Sequence, residues 1–373
     1  MRAALLALLL AAPAAAHAYP QFQLSTGAVR CNQCHYAPSG GGLLNPYGRD
    51  EAGDAISAGG DGRFLHGLWE PPSWLGLGAD LRFAGLATNE GAVTGVDWEA
   101  FPMLADLYAR AAVGGFSVYV NLGYRGSARP TEPPVVSRIL SREHYVMWRE
   151  GATGWYVRAG RFFAPYGIRL PEHTAYIRRF LGFNTLEETY DVSGGYIDDD
   201  LELHLTAFTP DFIRGAVGDR GSGGAAYFEQ RVLEHKAAWG AQARVSVGDT
   251  NTRSSLGLVG KLYLDGPRIQ LLAEVDVVLQ SLRDLGPDRW QLFGYLGAAW
   301  FPLRGLLFQL QLERFDEDMA VKGVARDAVS VELQWFPTAH VEVSLYGRLQ
   351  IIGTGTADGP LSEVGLLQFH YYL

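Results

Sequence analysis

RIQLLAEVDVVLQ, residues 268–280, is the stretch that decides the fold. Ile269, Leu271, Ala273, Val275, Val277 and Leu279 fall on one face of an extended chain, opposite Gln270, Glu274, Asp276 and Gln280. A period of two is that of a β-strand, whose successive side chains point to opposite sides. One face is wholly apolar and the other charged, as a wall between lipid and water requires. Its thirteen residues are close to, and enough for, the ~9–11 that a tilted strand needs to cross a bilayer.

The same texture begins at Trp74 and runs to Leu373. In 74–86, Leu75, Leu77, Ala79, Leu81 and Phe83 oppose Asp80 and Arg82. In 115–125, Phe116, Val118, Val120, Leu122 and Tyr124 oppose Ser117, Tyr119, Asn121 and Arg125. In 338–351, Val341, Val343, Leu345 and Leu349 oppose Glu342, Ser344, Tyr346, Arg348 and Gln350. The pattern predicts an all-β protein, a transmembrane antiparallel β-barrel of about 16 strands, an even number as in bacterial outer-membrane barrels. Gly114, Ala152-Thr153, Asp198-Asp199, Asp265-Gly266-Pro267 and Pro302-Leu303-Arg304 mark short turns. Residues 87–98, 126–137, 164–186, 210–222, 281–288, 316–325 and 352–361 mark longer loops. Short turns at one end and long loops at the other predict turns in the periplasm, with both termini there. A soluble β-sandwich would also alternate. Strand length, aromatic residues at strand ends (Trp155, Trp300-Phe301, Trp335-Phe336) and a charged inner face favour the membrane. Barrels often end in Phe or Trp, whereas this chain ends Phe369-His370-Tyr371-Tyr372-Leu373.

Residues 1–18 read as a signal peptide: Arg2, the apolar run Leu5–Leu10, then Ala16-His17-Ala18. No later segment is apolar for long enough to span as a helix. Export places the mature chain in an oxidising compartment. The formal charge is −9 and becomes about −10 once Arg2 is removed. An acidic surface argues against nucleic acid and suits cations or basic partner proteins.

Residues 19–73 form a separate zone, too small to build an ordinary core without a staple. It holds the chain's two cysteines, in CNQCH at 31–35. C-x-x-C-H is the attachment pattern of a c-type haem. Two thiols at this spacing reach both vinyl groups, and the next residue sets an imidazole under the iron. Cys31 and Cys34 are therefore the expected covalent attachments of one haem c, and His35 the expected axial ligand. A redox disulfide would ordinarily sit in a thioredoxin-like setting, absent here. A zinc site lacks a second Cys pair, with only His66 to complement it. A structural disulfide across so short a loop stabilises little.

Around this motif stand Tyr19-Pro20-Gln21-Phe22, Ser25-Thr26-Gly27 and Leu44-Asn45-Pro46-Tyr47-Gly48-Arg49. These stretches resemble the N-terminus of the fused outer-membrane monohaem cytochrome c–porins of iron-oxidising and related bacteria. The close match covers about 30 residues, and residues 74–373 match in architecture and length. The resemblance implies electron transfer across the outer membrane, through a haem in or near the lumen, from an extracellular donor such as ferrous iron. This chain departs from the pattern in a Gly-rich insertion, Ser39-Gly40-Gly41-Gly42, between the haem motif and Leu44-Asn45.

For the second axial ligand the zone offers His66 and no Met. The barrel offers Met103, His144, Met147, His173, His204 and His370; alternation turns His204 and His370 inward and Met103 to lipid. The long segment 164–186, with a helix-like stretch Glu172–Phe183, is expected to fold into the lumen. It would bring His173, Arg178 and Arg179 towards the haem, where arginines pair with propionates. The inward acids Asp80, Asp106, Glu202, Glu274, Asp276, Glu332 and Glu342 are matched by Arg82, Arg110, Arg125, Lys261 and Arg348, which reads as ordinary lumen polarity. Asp198-Asp199-Asp200 is a solvated turn with the charge to dock a basic periplasmic cytochrome or other carrier. The residues thus point to an electron-transfer barrel in outer-membrane lipid, without a catalytic triad, phosphate loop or hydrolytic dyad. The rival is a diffusion or uptake porin whose haem plug is a gate or redox sensor, or whose CNQCH never receives haem.

Overall fold

The computed structural model describes residues 19–89, 95–126, 139–211, 221–283, 286–353 and 361–373. The expected signal peptide lies outside the described residues, as do the greater parts of the expected loops 126–137, 210–222 and 352–361.

Sixteen antiparallel strands close into a barrel. They are β1 Leu75–Asn89, β2 Asp97–Val113, β3 Phe116–Arg125, β4 in two pieces (Ile139–Leu140 and His144–Arg149), β5 Gly154–Phe162, β6 Thr189–Ile197, β7 Leu201–Thr209 and β8 Ser222–Val232. The others are β9 Ala237–Val247, β10 Asn251–Leu264, β11 Ile269–Leu282, β12 Arg289–Leu303, β13 Leu306–Asp316, β14 Arg326–Thr338, β15 Val341–Ile352 and β16 Leu361–Tyr372. Each strand pairs with the next, and β1 pairs with β16 from Asp80↔Tyr372 to Asn89↔Glu363, so no edge is left open.

β11 carries the opening stretch. Gln270, Glu274 and Asp276 are buried in the lumen, while Val275 and Val277 are exposed at 43% and 37%. A globular β-protein would have these values reversed. Leu256, Leu258, Leu296 and Leu345 are likewise exposed on the outer face. An apolar outer wall around a buried polar interior requires lipid outside, which excludes the sandwich reading. Exposed tryptophans mark both rims: Trp155, Trp300 and Trp335 beside the short turns, Trp98 and Trp290 towards the long loops.

Two irregularities shift side chains from their expected places. β4 breaks at residues 141–143, where side chains replace ladder bonds. Arg161 donates to the Ser141 carbonyl (2.6 Å), and the Arg142 N–H reaches the Asn121 Oδ1 (3.3 Å). In β2 the register with β1 jumps from Arg82↔Leu104 to Phe83↔Pro102, leaving Met103 as the extra residue. A bulge of this kind re-aims a side chain. Met103 therefore borders the lumen cavity and does not face lipid.

Residues 19–73 fold inside the barrel at its short-turn end. Three short helices, α1 Gln21–Ser25, α2 Cys31–Cys34 and α3 Pro46–Glu51, lead into a wide turn at Ala52–Ile56. Asn32 donates to the Ala152 carbonyl (2.9 Å), Arg304 to the Gly53 carbonyl (2.6 Å) and the Ala58 N–H to the Phe336 carbonyl (2.8 Å). Phe22 packs against Phe301 and Phe336. The zone is too small for a core of its own, and it borrows the barrel wall. With the plug at the periplasmic rim, thiol labelling of intact cells should tag Ala320→Cys, between β13 and β14, and spare Asp265→Cys. The reverse pattern would invert the orientation.

Segment 164–186 enters the lumen as expected. Tyr166, Ile168, Tyr176, Ile177 and Phe183 pack on Phe293, Phe315 and other wall residues. The helix within it is shorter than the sequence suggests: α4 spans only Tyr176–Arg179. Pro171 and the bonds that Arg178 donates to the Leu170 and Phe183 carbonyls (2.6 and 2.9 Å) hold the flanks as loop.

Candidate haem-binding site

The cysteine motif is built as one tight unit with Leu44–Arg49. The Asn45 side chain caps α3 by accepting from the Gly48 N–H (3.0 Å), and its amide donates back to the Gln33 carbonyl (2.9 Å). The Asn45 N–H bonds the Cys34 carbonyl (2.9 Å), and His35 bridges antiparallel to Leu44. Gly48 lies against Cys34 so closely that a Cβ would run into its carbonyl oxygen. Arg49 then reaches across to the Leu77 carbonyl of β1. Each conspicuous residue of L-N-x-Y-G-R except Tyr47, which is exposed, thus positions CNQCH or ties it to the wall. The Gly-rich insertion turns beside the His35 ring with Gly40, Gly41 and Gly42 all at positive φ (78°, 81° and 60°), a conformation that glycine adopts at no steric cost.

Cys31, Cys34 and His35 border one slot between plug and wall, with Phe22, Leu44 and Ile56 among its apolar neighbours. Both thiols are free. Burial pushes Cys34 up to about 12 and raises Cys31 as well, so both are neutral thiols. Burial also pushes His35 down to about 4, partly offset by the backbone of Gly42 and Gly41. Its ring is neutral at pH 7, the form that ligates metal, and its Nδ1 is buried without a hydrogen-bond partner.

These residues fit a c-type haem in donor chemistry: two neutral thiols, one neutral imidazole and an apolar border. The slot itself is narrow, about 100 Å³, below the ~300 Å³ at which ligand pockets usually begin. Three cations also border the slot: Arg30, held by Asp199, and Arg169 and Lys261. Arg169 is held by Glu202 (2.9 Å) and the Ser39 carbonyl (3.0 Å), and Lys261 by Glu229 (2.7 Å) and Gln23 (2.8 Å).

The expected companions are distributed differently. His66 is exposed at the plug's exit. Its Nε2 meets the Tyr371 hydroxyl (2.9 Å), and its ring packs on His340 at 4.7 Å between centroids. It does not border the slot. His370 does border it, but its nitrogens lie 2.7 Å from Glu342 and 3.1 Å from Asp80. His204 points inward and is held between Tyr156 (2.6 Å) and Glu202 (2.7 Å). Met147 is buried among tyrosines, and His144 bonds Ser141 (2.9 Å). His173, Arg178 and Arg179 border a larger cavity further up the lumen, not the slot. Arg169, from the same loop, takes the place expected of Arg178 and Arg179; no motif marked it. Lys261 could be found by strand alternation alone.

Asp199 of the acidic turn holds Arg30, beside Cys31 (2.5 Å), and Asp200 holds His235 (2.7 Å). The inward acids singled out in the sequence are all buried, and most contact lumen cations, amides or hydroxyls. That is the ordinary lumen polarity expected of them.

No family model matches the sequence, and no curated protein does either. Among solved structures, the chain is similar to OprB of Pseudomonas putida, with a TM-score of 0.62 at 9% identity over 80% of this chain and 94% of that one. It is similar to an anion-selective porin from Comamonas acidovorans, with a TM-score of 0.61 at 12% identity over 80% and 99%. The outer membrane channel DcaP of Acinetobacter baumannii gives 0.57 at 13% identity over 80% and 97%. At these identities the likeness is one of fold: the barrel is built as outer-membrane porins are, and its apolar outer wall contacts membrane lipid.

Proposed function

We propose that this barrel carries electrons across the outer membrane through one covalent haem c on Cys31 and Cys34, with His35 as axial ligand. The observation that carries the reading is that both thiols and a neutral, buried imidazole open into the same slot, with no disulfide between the thiols. When bound, the haem would supply the one-electron chemistry. The chain's own residues do the rest. Asn45 and Gly48 fix the turn that presents the two thiols. The Gly40–Gly42 turn covers the imidazole. The apolar border would shield a bound haem from water and so tune its potential. An extracellular donor, ferrous iron being the case implied by the family resemblance, delivers the electron from the lumen side. A soluble periplasmic carrier collects it at the short-turn rim.

Intact cells expressing the protein should show haem reduction in their optical spectrum when Fe²⁺ is added outside, and His35→Ala cells should not. A ferric citrate control should leave the haem oxidised. If the haem stays oxidised with Fe²⁺ yet responds to a membrane-permeant reductant, iron is not the donor.

A second reading has its own support. The lumen above the slot holds a cavity of about 770 Å³, room enough for a small solute, within a porin fold. In that reading the plug is a gate or redox sensor on a diffusion or uptake channel. Single-channel conductance of the purified protein, compared between oxidised and reduced haem, separates the two. A solute current that follows the redox state supports the gate.

A further inference from the structure

The plug leaves the barrel through a turn that costs backbone strain. Phe64 is buried beneath the Arg49 guanidinium (4.9 Å to the ring centroid). Leu65, His66 and Gly67 then all take positive φ (49°, 54° and 76°). Glycine does so freely, whereas Leu and His do so only where their surroundings impose it. The turn brings His66 beneath the rim to Tyr371, whose hydroxyl lies 2.9 Å from the His66 Nε2. The His66 ring also packs on His340, in the turn between β14 and β15 (4.7 Å). His340 itself sits between the carbonyls of Arg63 (3.1 Å) and Tyr372 (2.7 Å). These contacts fix the segment on the rim.

Tyr371 belongs to the lipid side. In β16, Gln368, His370 and Tyr372 are buried towards the lumen, while Leu367 and Phe369 are exposed on the outer face, so Tyr371 points outward. The register sets it one outward position nearer the periplasm than a row formed by Trp335, Val343, Phe369 and Phe83. These pair one with the next across β14, β15, β16 and β1. The three aromatic members are exposed to the bilayer, and they form part of the girdle that marks the membrane–water interface. The chain beside His66 is apolar and bare. Leu65 is exposed, Trp69 is 45% exposed, and Leu68 is 88% exposed, more than the lipid-facing Leu256 at 69%. Trp69 stands edge-on against Phe64 (5.9 Å), and Arg63 is taken by Asp61 (2.6 Å).

We propose that Leu65–Trp69 is a membrane anchor. Leu65, Leu68 and Trp69 enter the periplasmic leaflet at headgroup level, beside the aromatic row, and clip the plug's exit to phospholipid. The patch is continuous with the lipid-facing wall through His66 and Tyr371, and an exposed apolar patch calls for an occupant. Leucine next to tryptophan suits this depth, because the indole keeps its N–H at the polar level while leucine reaches the acyl chains. With Arg63 neutralised by Asp61, the attraction is apolar and does not call for anionic lipid. The anchor makes docking of the plug depend on the bilayer as well as on the barrel. It rests on the plug's exit and the wall alone, and it holds whether or not CNQCH carries haem.

The test puts the photoreactive residue p-benzoylphenylalanine in place of Leu68 in the full chain, in intact cells. Irradiation, purification and mass spectrometry should show a mass shift of one phospholipid at position 68. The same probe in place of Leu345, exposed on the outer face of β15, should give the same adduct. In place of Asp54, exposed in the plug's wide turn, it should give none. Heat-modifiable migration on a gel shows that each variant is folded, and Trp69, replaced by the same aromatic probe, stands in if the variant at 68 does not fold. A protein adduct at 68 in place of lipid would make the patch a docking surface for a periplasmic partner and overturn the anchor. Absence of any adduct at 68 while Leu345 labels overturns it too, as does lipid labelling at Asp54 equal to that at 68.

Discussion

Cys34→Ala, expressed in a host that matures c-type cytochromes, is expected to lose most of its haem stain on a denaturing gel, and Cys31→Ala/Cys34→Ala all of it. The wild-type chain should show one stained band near the mature mass. The reasoning starts from burial. Both thiols lie inside the barrel, neutral and raised in pKa, along a slot too narrow to admit a macrocycle as it stands. Thiols in that state are poor nucleophiles. Attachment should therefore precede docking of the plug, while the exported chain is still open. Haem added to barrel refolded without the maturation machinery should remain extractable. The barrel does not depend on the thiols, so the double variant should keep its heat-modifiable migration. A wild-type band without stain in a competent host would end the electron-transfer reading and leave the porin. Efficient labelling of refolded barrel by free haem would overturn the order of events.

The barrel was legible because its signal repeats. Each strand states its two faces, and a slip of one residue would turn every charge to lipid; β11 could be read from thirteen residues alone. Misreadings arose where the period breaks. Strict alternation places Met103 towards lipid, and a single bulge in β2 turns it inward. The helix in the inner loop is shorter than composition suggests because Arg178 is spent on the carbonyls flanking it. The site divides along the same line. CNQCH and Leu44–Arg49 are local in sequence, and they meet in the structure as their spacing suggests. The groups that complete the slot, Arg169, Lys261 and His370, come from the inner loop, β10 and β16. Only closure of the barrel brings them together. His66 was the nearest histidine along the chain, yet Leu65 and His66 both adopt positive φ (49° and 54°), and this turn ends with the ring on Tyr371 and His340.

Gly48→Ala is expected to cost the protein its haem while both cysteines and His35 remain in place. Gly48 sits in the first turn of α3, where no left-handed backbone is required, so helix propensity alone would favour alanine. The obstacle is contact: the added methyl would meet the Cys34 carbonyl oxygen, which already accepts the Asn45 N–H. Backbone on both sides leaves no flexible side chain to yield. Overpacking at such a site costs about 1–3 kcal/mol, and here it falls on a plug that has no core of its own. The expected result is an undocked plug in an intact barrel. Haem stain should fall several-fold, residues 19–73 should become sensitive to protease, and conductance should rise towards that of an open pore. Gly59→Ala is the matched control. Nothing lies within 4 Å of a Cβ at that position, and its φ is not positive, so stain and conductance should stay at wild-type levels. The comparison separates contact at the cysteine motif from any general intolerance of the plug to alanine. If Gly48→Ala stains and conducts like wild type, the Leu44–Arg49 turn does not hold the thiols, and the slot must take its shape from the barrel wall.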